Sequence, residues 1–464
     1  MRQVSRHPPI AAEFPSILHG GDYSEKKEKI KMTYEKLKET FESAVAAELF
    51  QRLYGKSGAQ DAPRRYAALA DGLAAMEGGA GDMRVFSAPG RTELCGNHTD
   101  HNLGKVVAAS VQLDVVGIAC PRMDKTVVFR STGFPDAIVD LSDLSPRASE
   151  YGTTESLIRG VSAEFNRMGA AVQGFNVCAD STVLKGSGLS SSAAVEVLLS
   201  KIYDVLNSSG KTPPLELARI AQKAENVYFG KPCGLMDQAA SAIGGAVFMD
   251  FGMSPVETEI FTLNLEESGY TLCVADTGSS HADLTPHYAA IPSEMKSVAA
   301  FFGKSCLAEV KRKDVLTAAA AIRAKCGDRA LLRTMHFFNE NQRVVEMRDL
   351  LRQGAPISAL FDVVRGSGGS SWELLQNVDA AADPREQNVA LALALTGEFT
   401  AGSGSVYRVH GGGFAGAIQA YIRTEIFPEY QAFMEGVFGA GSVTKLFIRP
   451  VGAVFLDDFT QGVA

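Results

Sequence analysis

The stretch KGSGLSSSAAVEVLLS (185–200) limits how this chain can fold more than any other. It follows an apolar, strand-like run, GFNVCA, and leads straight into an apolar run with helical spacing over 193–206. A strand, a tight glycine-serine loop and a helix must therefore be joined here, with the helix N-terminus left open at the loop. Gly186 and Gly188 carry no side chain that would keep a ligand from the backbone, and both tolerate positive φ. Ser190, Ser191 and Ser192 lie where the amides of a first helical turn point outward unpaired. Two readings stand at this point. One is an anion site made of amides, hydroxyls and a positive helix end; the other is a Gly/Ser turn with a serine cap. No G-K-[ST] closes the loop, so it is not a Walker A loop.

Around this loop the chain alternates between strand-like and helix-like texture. MRVFSA, VQLDVVGIAC, TVVFR and AIVDL read as strands from about residue 83, followed by a helix over 155–169. A further helix follows Pro213–Pro214, AVFMDF and YTLCVAD read as strands, and a helix lies near 329–352. The chain then closes with YRVHGGGFAGAIQAY, a short helix and KLFIRPVGAVFL. Without a strict βαβ rhythm, this order predicts an α+β fold. Ahead of it, Ile30, Tyr34, Leu37, Phe41, Val45, Leu49 and Leu53 recur every three or four positions between Lys and Glu. That spacing predicts one amphipathic helix over 23–54, with Ser24 at its start and Gly55 at its end.

A length of 464 residues allows two or three domains. The formal net charge of −8 argues against a nucleic-acid partner, whose binding face would have to be basic. It leaves an anionic substrate open, because a few local cations or amides hold a phosphate. Seven cysteines, an odd number with no C-x-x-C pair, fit free thiols in a reduced, cytosolic protein. No apolar run approaches 18 residues and the N-terminus lacks an apolar h-region, so neither a membrane span nor a signal peptide is expected.

Three further stretches carry chemistry. GRTELCGNHTDHN (90–102) is too polar for a core strand, and reads as a solvated turn or a polar pocket. Its short hydrogen-bonding side chains suit a polyol, whose hydroxyls each need a donor or acceptor. The H-T-D-H spacing raises metal ligation, but no matching third ligand is evident. ENVYFGKPCGLMDQ (225–238) places Asp237 after an apolar pair, as a helix cap or as a general base. Glu225 on the preceding helix suits a Mg²⁺ bound to phosphates, which takes one or two carboxylates. VHGGGFAG (409–416) is by itself only a glycine turn.

Taken together, these stretches resemble the GHMP family of small-molecule kinases, and within it the galactokinases. Against the family patterns G-R-[TV]-N-L-I-G-E-H-T-D-Y-N, G-G-G-L-S-S-S-A, P-C-G-[IL]-M-D-Q and G-A-G-F-G-G the chain sets, in the same order, GRTELCGNHTDHN, GSGLSSSA, PCGLMDQ as a full match and GGGFAG as an approximation. DTGSSHADLTPHY (276–288) resembles the family segment that ends in a sugar-contacting tyrosine. The resemblance implies a two-lobed α+β fold with the active site in the cleft between lobes. It implies a first lobe over 81–270 and a second over 271–464; residues 1–80 ahead of them read as a helical extension on which the resemblance is silent. It also implies transfer of the γ-phosphoryl of ATP to the anomeric hydroxyl of galactose, with Mg²⁺. Asp237 would be the base and Arg91 its neighbouring cation. The backbone of Gly186, Ser187, Gly188, Ser190 and Ser191 would cradle the phosphates, and Ser192 and Glu225 would hold Mg²⁺. Asn97, His98, Asp100, Gly234 and Tyr288 occupy sugar-contacting positions. Asn97 stands where the family pattern has Glu, Glu93 where it has Asn, and His101 where it has Tyr. Those departures bear on the sugar, leaving N-acetylgalactosamine, arabinose or a non-catalytic sensor as alternatives.

Overall fold

The computed structural model describes residues 32–184, 188–278, 284–380 and 385–456. An eight-stranded sheet is built from β1 (Arg84–Cys95), β2 (Lys105–Pro121), β3 (Thr126–Ser131), β4 (Ala137–Asp140), β5 (Phe175–Ser181), β6 (Ala246–Asp250) and β7 (Glu257–Phe261), completed by a late strand, β12. The late strands are β8 (Tyr270–Asp276), β9 (Val406–Val409), β10 (Ala417–Arg423), β11 (Val443–Leu446) and β12 (Val454–Phe455). The first sheet runs β12-β1-β2-β5-β3-β4, and β6 and β7 extend it from the other half of β2. The long β2 therefore has two partners on one side: residues 115–121 pair with β5 and residues 105–109 with β6. Among the described residues, only the β3–β5 pairing in this sheet is parallel. A second, antiparallel sheet runs β11-β8-β10-β9.

Three helices precede the first sheet: α1 (Tyr34–Phe41), α2 (Ala44–Gly58) and α3 (Ala62–Ala74). After β4 come α4 (Thr154–Arg167), α5 (Ser191–Asn207), α6 (Pro214–Lys223) and α7 (Met236–Ile243). The remainder are α8 (Thr285–Phe301), α9 (Arg312–Thr317), α10 (Ala319–Cys326), α11 (Asp328–Arg352), α12 (Ile357–Ser370), α13 (Asn388–Phe399) and α14 (Phe427–Phe438). The apolar run VVGIAC in β2 is continuous because both of its faces are covered. Val115 and Ala119 pack in the cluster that holds Val197 and Leu198 of α5, while Val116, Ile118 and Cys120 pack with α1–α3. Gly117 sits where a Cβ would press on Leu198 at 3.2 Å. β8 alternates in the same way, with Leu272 and Val274 toward the cluster containing Phe361 of α12, and Cys273 and Ala275 toward α13 and α14.

The single helix expected over 23–54 is not what forms. Residues 23–31 lie outside the described residues, and the rest is divided at Glu42–Ser43 into α1 and α2. Ser43 is the reason: its hydroxyl accepts the Ala46 amide at 3.1 Å and starts a new helix. Gly55, at φ +69 and ψ 177, interrupts the helical path within α2, so the helical run that begins after Ser43 stops there as expected and a further turn follows to Gly58. Phe41, Phe50 and Tyr66 from these helices are fully buried against the back of the sheet. Each such burial is worth about 1.5–3 kcal/mol.

A buried charge cluster pins this layer. Asp114 of β2 accepts Arg65 Nη1 at 2.6 Å, Tyr54 Oη at 2.8 Å and the Ser87 hydroxyl, and Arg449 Nη1 lies 3.2 Å away. Arg65 also reaches Asp180 Oδ2 on β5 at 2.8 Å. Helices α2 and α3, two strands and the chain's last segment thus share one carboxylate.

Candidate active site

The expectation that residues 90–102 contain no core strand is overturned over their first half. Gly90–Cys95 form the end of β1 and are buried. Charge pairing explains it: Arg91 meets Asp237, Glu93 meets Arg408 Nη2 at 2.8 Å, and Gln419 Nε2 donates to Thr92 Oγ1. A charged strand is buried here because its partners come from positions 146 to 327 residues away. The polar loop begins at Gly96 and runs through a short 3₁₀ turn, Asp100–Asn102.

Arg91 and Asp237 form a two-pronged pair. Arg91 Nε donates to Asp237 Oδ1 and Nη2 to Oδ2, both at 2.8 Å, and Nη1 donates to the carbonyl of Gly188. The Arg91 side chain is 6 % exposed and that of Asp237 34 %, so the carboxylate is the part that faces open space. Burial pushes the Asp237 carboxyl up. The Arg91 charge, its hydrogen bonds and the Ser190 hydroxyl outweigh that and hold it below the usual carboxylate range. Asp237 is the second residue of α7 and makes no cap bond, which removes the helix-cap reading. Its Oδ2 accepts from Arg91 and Ser190, whereas among the described residues Oδ1 accepts from Arg91 alone. Each carboxylate oxygen has two lone pairs, so Oδ1 retains an acceptor position.

The glycine-serine loop is joined to this pair. Ser190 precedes α5 in a left-handed conformation, φ 59 and ψ 57, and spends its hydroxyl on Asp237 instead of capping the helix. Gly188 has φ +74, and a Cβ there would fall 2.9 Å from His410 Nδ1. Leu189 O accepts the Arg91 amide at 3.0 Å, holding loop to strand. Gly186 and Ser187 lie outside the described residues. Ser191 and Ser192 form the first turn of α5, whose N-cap residue Ser190 makes no side-chain cap bond.

Glu225 lies on a π-helical turn, Ala224–Phe229, the kind of local widening that often marks a functional position. Its carboxylate accepts Lys231 Nζ at 3.2 Å and Gln238 Nε2 at 2.8 Å. The same Gln238 nitrogen donates to Glu196 Oε2 at 3.0 Å. Glu196 sits one turn beyond Ser192 on α5, fully buried; burial, then the Glu225 charge, push its carboxyl well above the usual range. Glu196 Oε1 and Gln238 Oε1 are buried and accept no hydrogen bond. Sequence reasoning missed Glu196, although a lone Glu four positions after Ser192 in an apolar helix was a visible signal.

The sugar-loop residues meet the glycine turn at 411–413. His98 Nε2–H donates to Gly412 O at 3.0 Å, and Tyr288 Oη donates to Gly413 O at 2.8 Å. Burial, the largest influence, lowers the His98 pKa to about 4. The imidazole is therefore neutral at pH 7, with its proton on Nε2 and Nδ1 an acceptor. Burial likewise raises Tyr288 to about 12, keeping its phenol protonated. Asp100 and Gly234 are in contact, since a Cβ on Gly234 would fall 1.7 Å from Asp100 Oδ2. Asn97 is placed differently: it is 1 % exposed and bonded to Glu93, Gly411 and Asn377. Beneath it, Glu340 of α11 accepts the Gly96 amide at 3.0 Å and pairs with Arg343 at 2.8 Å. Burial raises the Glu340 carboxyl, but His336, Arg408 and Arg343 together hold it at about 2. No local motif announces Glu340, Asn377 or Arg408, which are recognisable only from their contacts.

Comparison with known proteins bears on this arrangement. A family model described as the GHMP kinases N terminal domain matches residues 156–245, and one described as the galactokinase galactose-binding signature matches residues 77–121. A galactokinase of Streptomyces coelicolor is 33 % identical over 281 residues, covering 60 % of this chain and 71 % of that protein. Human galactokinase is 28 % identical over 395 residues, 82 % of this chain and 94 % of its own length. Lactococcus lactis galactokinase complexed with galactose superimposes with a TM-score of 0.69 at 23 % identity, covering 89 % of this chain and 99 % of that one. The mevalonate kinase of Methanococcus jannaschii shares the fold at a TM-score of 0.55 and 12 % identity, over 78 % and 98 % of the two chains.

Proposed function

The chain belongs to the galactokinases of the GHMP kinase family, and from that premise we propose how its residues perform the ATP-dependent phosphorylation of galactose to galactose 1-phosphate. Phosphoryl transfer passes through a loose transition state in which positioning and electrostatics supply most of the acceleration. Asp237 Oδ1, which retains an acceptor position, accepts the anomeric hydroxyl of the sugar and aligns its oxygen. Held ionised by Arg91, the carboxylate is a weak base at rest. It takes the proton only as the sugar oxygen bonds to phosphorus and becomes acidic. Arg91, already fixed by Asp237 and Gly188, offsets negative charge as the phosphoryl moves. The ATP phosphates would lie against the backbone of Gly188, Ser190 and Ser191 at the start of α5, with Gly186 and Ser187, which the family pattern adds, outside the described residues.

Ser192 and Glu225 would hold Mg²⁺, which neutralises phosphate charge when bound. Two observations support the fit: hard oxygen donors at both positions, and buried acceptor oxygens on Glu196 and Gln238 that lack any donor. His98, Asp100, Gly234 and Tyr288 would frame the sugar. The lobes are taken as 81–270 and 271–464 behind an extension over 1–80. The first sheet draws on residues 84–261 and the second on 270–446, which supports that division, although Val454–Phe455 return to pair with β1 in the first sheet. Among the described residues no helix is long and apolar enough to cross a membrane, and all seven cysteines are free, which supports a cytoplasmic setting.

The Arg91–Asp237 fork beside Gly188 is the observation that carries this reading. Asp237→Asn keeps the size of the side chain and removes its charge. It is expected to lose turnover by on the order of 10² or more, while galactose still binds by calorimetry. Turnover retained in that variant contradicts the assignment.

A further inference from the structure

We propose that Glu93 and Asn97 act as one unit that holds the sugar loop, so that Asn97 positions the loop and does not itself bind the sugar; this rests on the galactose-phosphorylating reading of the site. Both donor hydrogens of Asn97 Nδ2 are used, toward Glu93 Oε2 at 3.0 Å and Gly411 O at 2.8 Å. Oδ1 accepts Asn377 Nδ2 at 2.8 Å, and the main-chain oxygen accepts His336 Nε2 at 2.9 Å. A side chain 1 % exposed with its donors spent has nothing to offer a hydroxyl in the cleft.

Glu93 decides which way that amide faces. A carboxylate only accepts, so the NH₂ of Asn97 must turn toward it and the oxygen must turn toward Asn377. The other oxygen of Glu93 lies 2.8 Å from Arg408 Nη2, with both side chains 1 % exposed. Arg408 is in turn fixed by Nη1 on Leu94 O at 3.1 Å. Asn97 thereby ties β1, the glycine turn and Asn377, in the segment beyond α12, to one point.

Positions 93 and 97 are also two of the places where the loop departs from the family pattern, which has Asn first and Glu second. Here the carboxylate and the amide have exchanged places while remaining in contact. Carboxylates at both positions would face each other at about the same separation with no donor between them. Amides at both would remove the pair's one negative charge from the buried surroundings of Arg408, whereas a joint exchange retains one, at position 97. The pair therefore tolerates a joint exchange and resists either half of it.

A double-mutant cycle of Glu93→Asn and Asn97→Glu in the full chain tests this, read by galactose KM, kcat and the melting temperature without sugar. Each single variant is expected to raise KM by on the order of tenfold and to lower the melting temperature by about 3 °C or more. kcat should stay within about threefold, because neither side chain touches the Arg91–Asp237 pair. The double variant is expected to recover most of both losses. Single effects that simply multiply in the double variant overturn the proposal. So does an Asn97→Glu variant that binds galactose more tightly with an unchanged melting temperature. If a single variant yields no folded protein, recovery of folded double variant supports the coupling, and failure to recover it overturns it. If the wild type does not turn over galactose, the activity reading fails, and the melting-temperature cycle still decides the pair.

Discussion

Replacing Arg91 by Met removes the cation and all three of its hydrogen bonds while keeping an unbranched side chain of moderate length. Two of those bonds reach Asp237 at 2.8 Å and one reaches Gly188. Charge-assisted bonds are worth about 1.5–3 kcal/mol each, but these exist before the reaction begins and only part of their energy is specific to the transition state. Loss of one preorganised electrostatic contact commonly lowers kcat by about 10²–10³, and that is the fall expected here. Arg91→Lys keeps a charge without the planar fork and should fall between the two. The pH profile adds a second reading. Asp237 must be ionised to accept the sugar hydroxyl, so activity is lost as pH falls through its pKa. In the wild type the strongest opposing influences, the Arg91 charge and its bonds, hold that pKa below the usual range against burial. Without Arg91, burial prevails and the acid limb must move to higher pH. A coupled ATP-consumption assay across pH 5 to 9, as a rough working window for such titrations, measures both effects. A kcat within about twofold of wild type, or an acid limb that moves to lower pH, would refute the reasoning.

Two further perturbations follow from the same geometry. Arg65→Ala strips Asp114 of its leading counter-charge while leaving the carboxylate fully buried, so stability by urea unfolding should fall by about 3–5 kcal/mol. The Asp114 carboxyl is depressed in the folded state, so its contribution exists above the unfolded pKa and fades as pH falls through the folded one. In the variant burial pushes that pKa up, and acid unfolding should begin at a higher pH than in the wild type; coincident acid curves would contradict this. Gly234→Ala would set a Cβ 1.7 Å from Asp100 Oδ2, displacing the loop without touching Asp237. Galactose KM should rise by about tenfold or more with little change in melting temperature, and an unchanged KM would remove Gly234 and Asp100 from the sugar site.

What the sequence made legible was local. The loop before α5, the Asp237 helix start and the two-faced β2 each carry their signal within a few residues, through glycine freedom, helix-end chemistry or a continuous apolar run. The strand Gly90–Cys95 was hidden because its burial depends on Asp237, Arg408 and Gln419, all distant in sequence, and a charged hexapeptide has no local reason to be buried. The α1–α2 break was hidden for the opposite reason. An unbroken apolar periodicity ran across Ser43, whose cap matters only once the backbone has turned. The partners of Asn97, namely Glu93, Gly411 and Asn377, were legible only in part, because two of them lie some 280 or more residues away.

The most direct measurement is ATP consumption by the purified full chain with Mg²⁺ against galactose, 2-deoxygalactose, N-acetylgalactosamine, arabinose and glucose. The account predicts turnover that is strongest on galactose and abolished by Asp237→Asn. Turnover confined to a different sugar, or none on galactose from a folded protein, would contradict it.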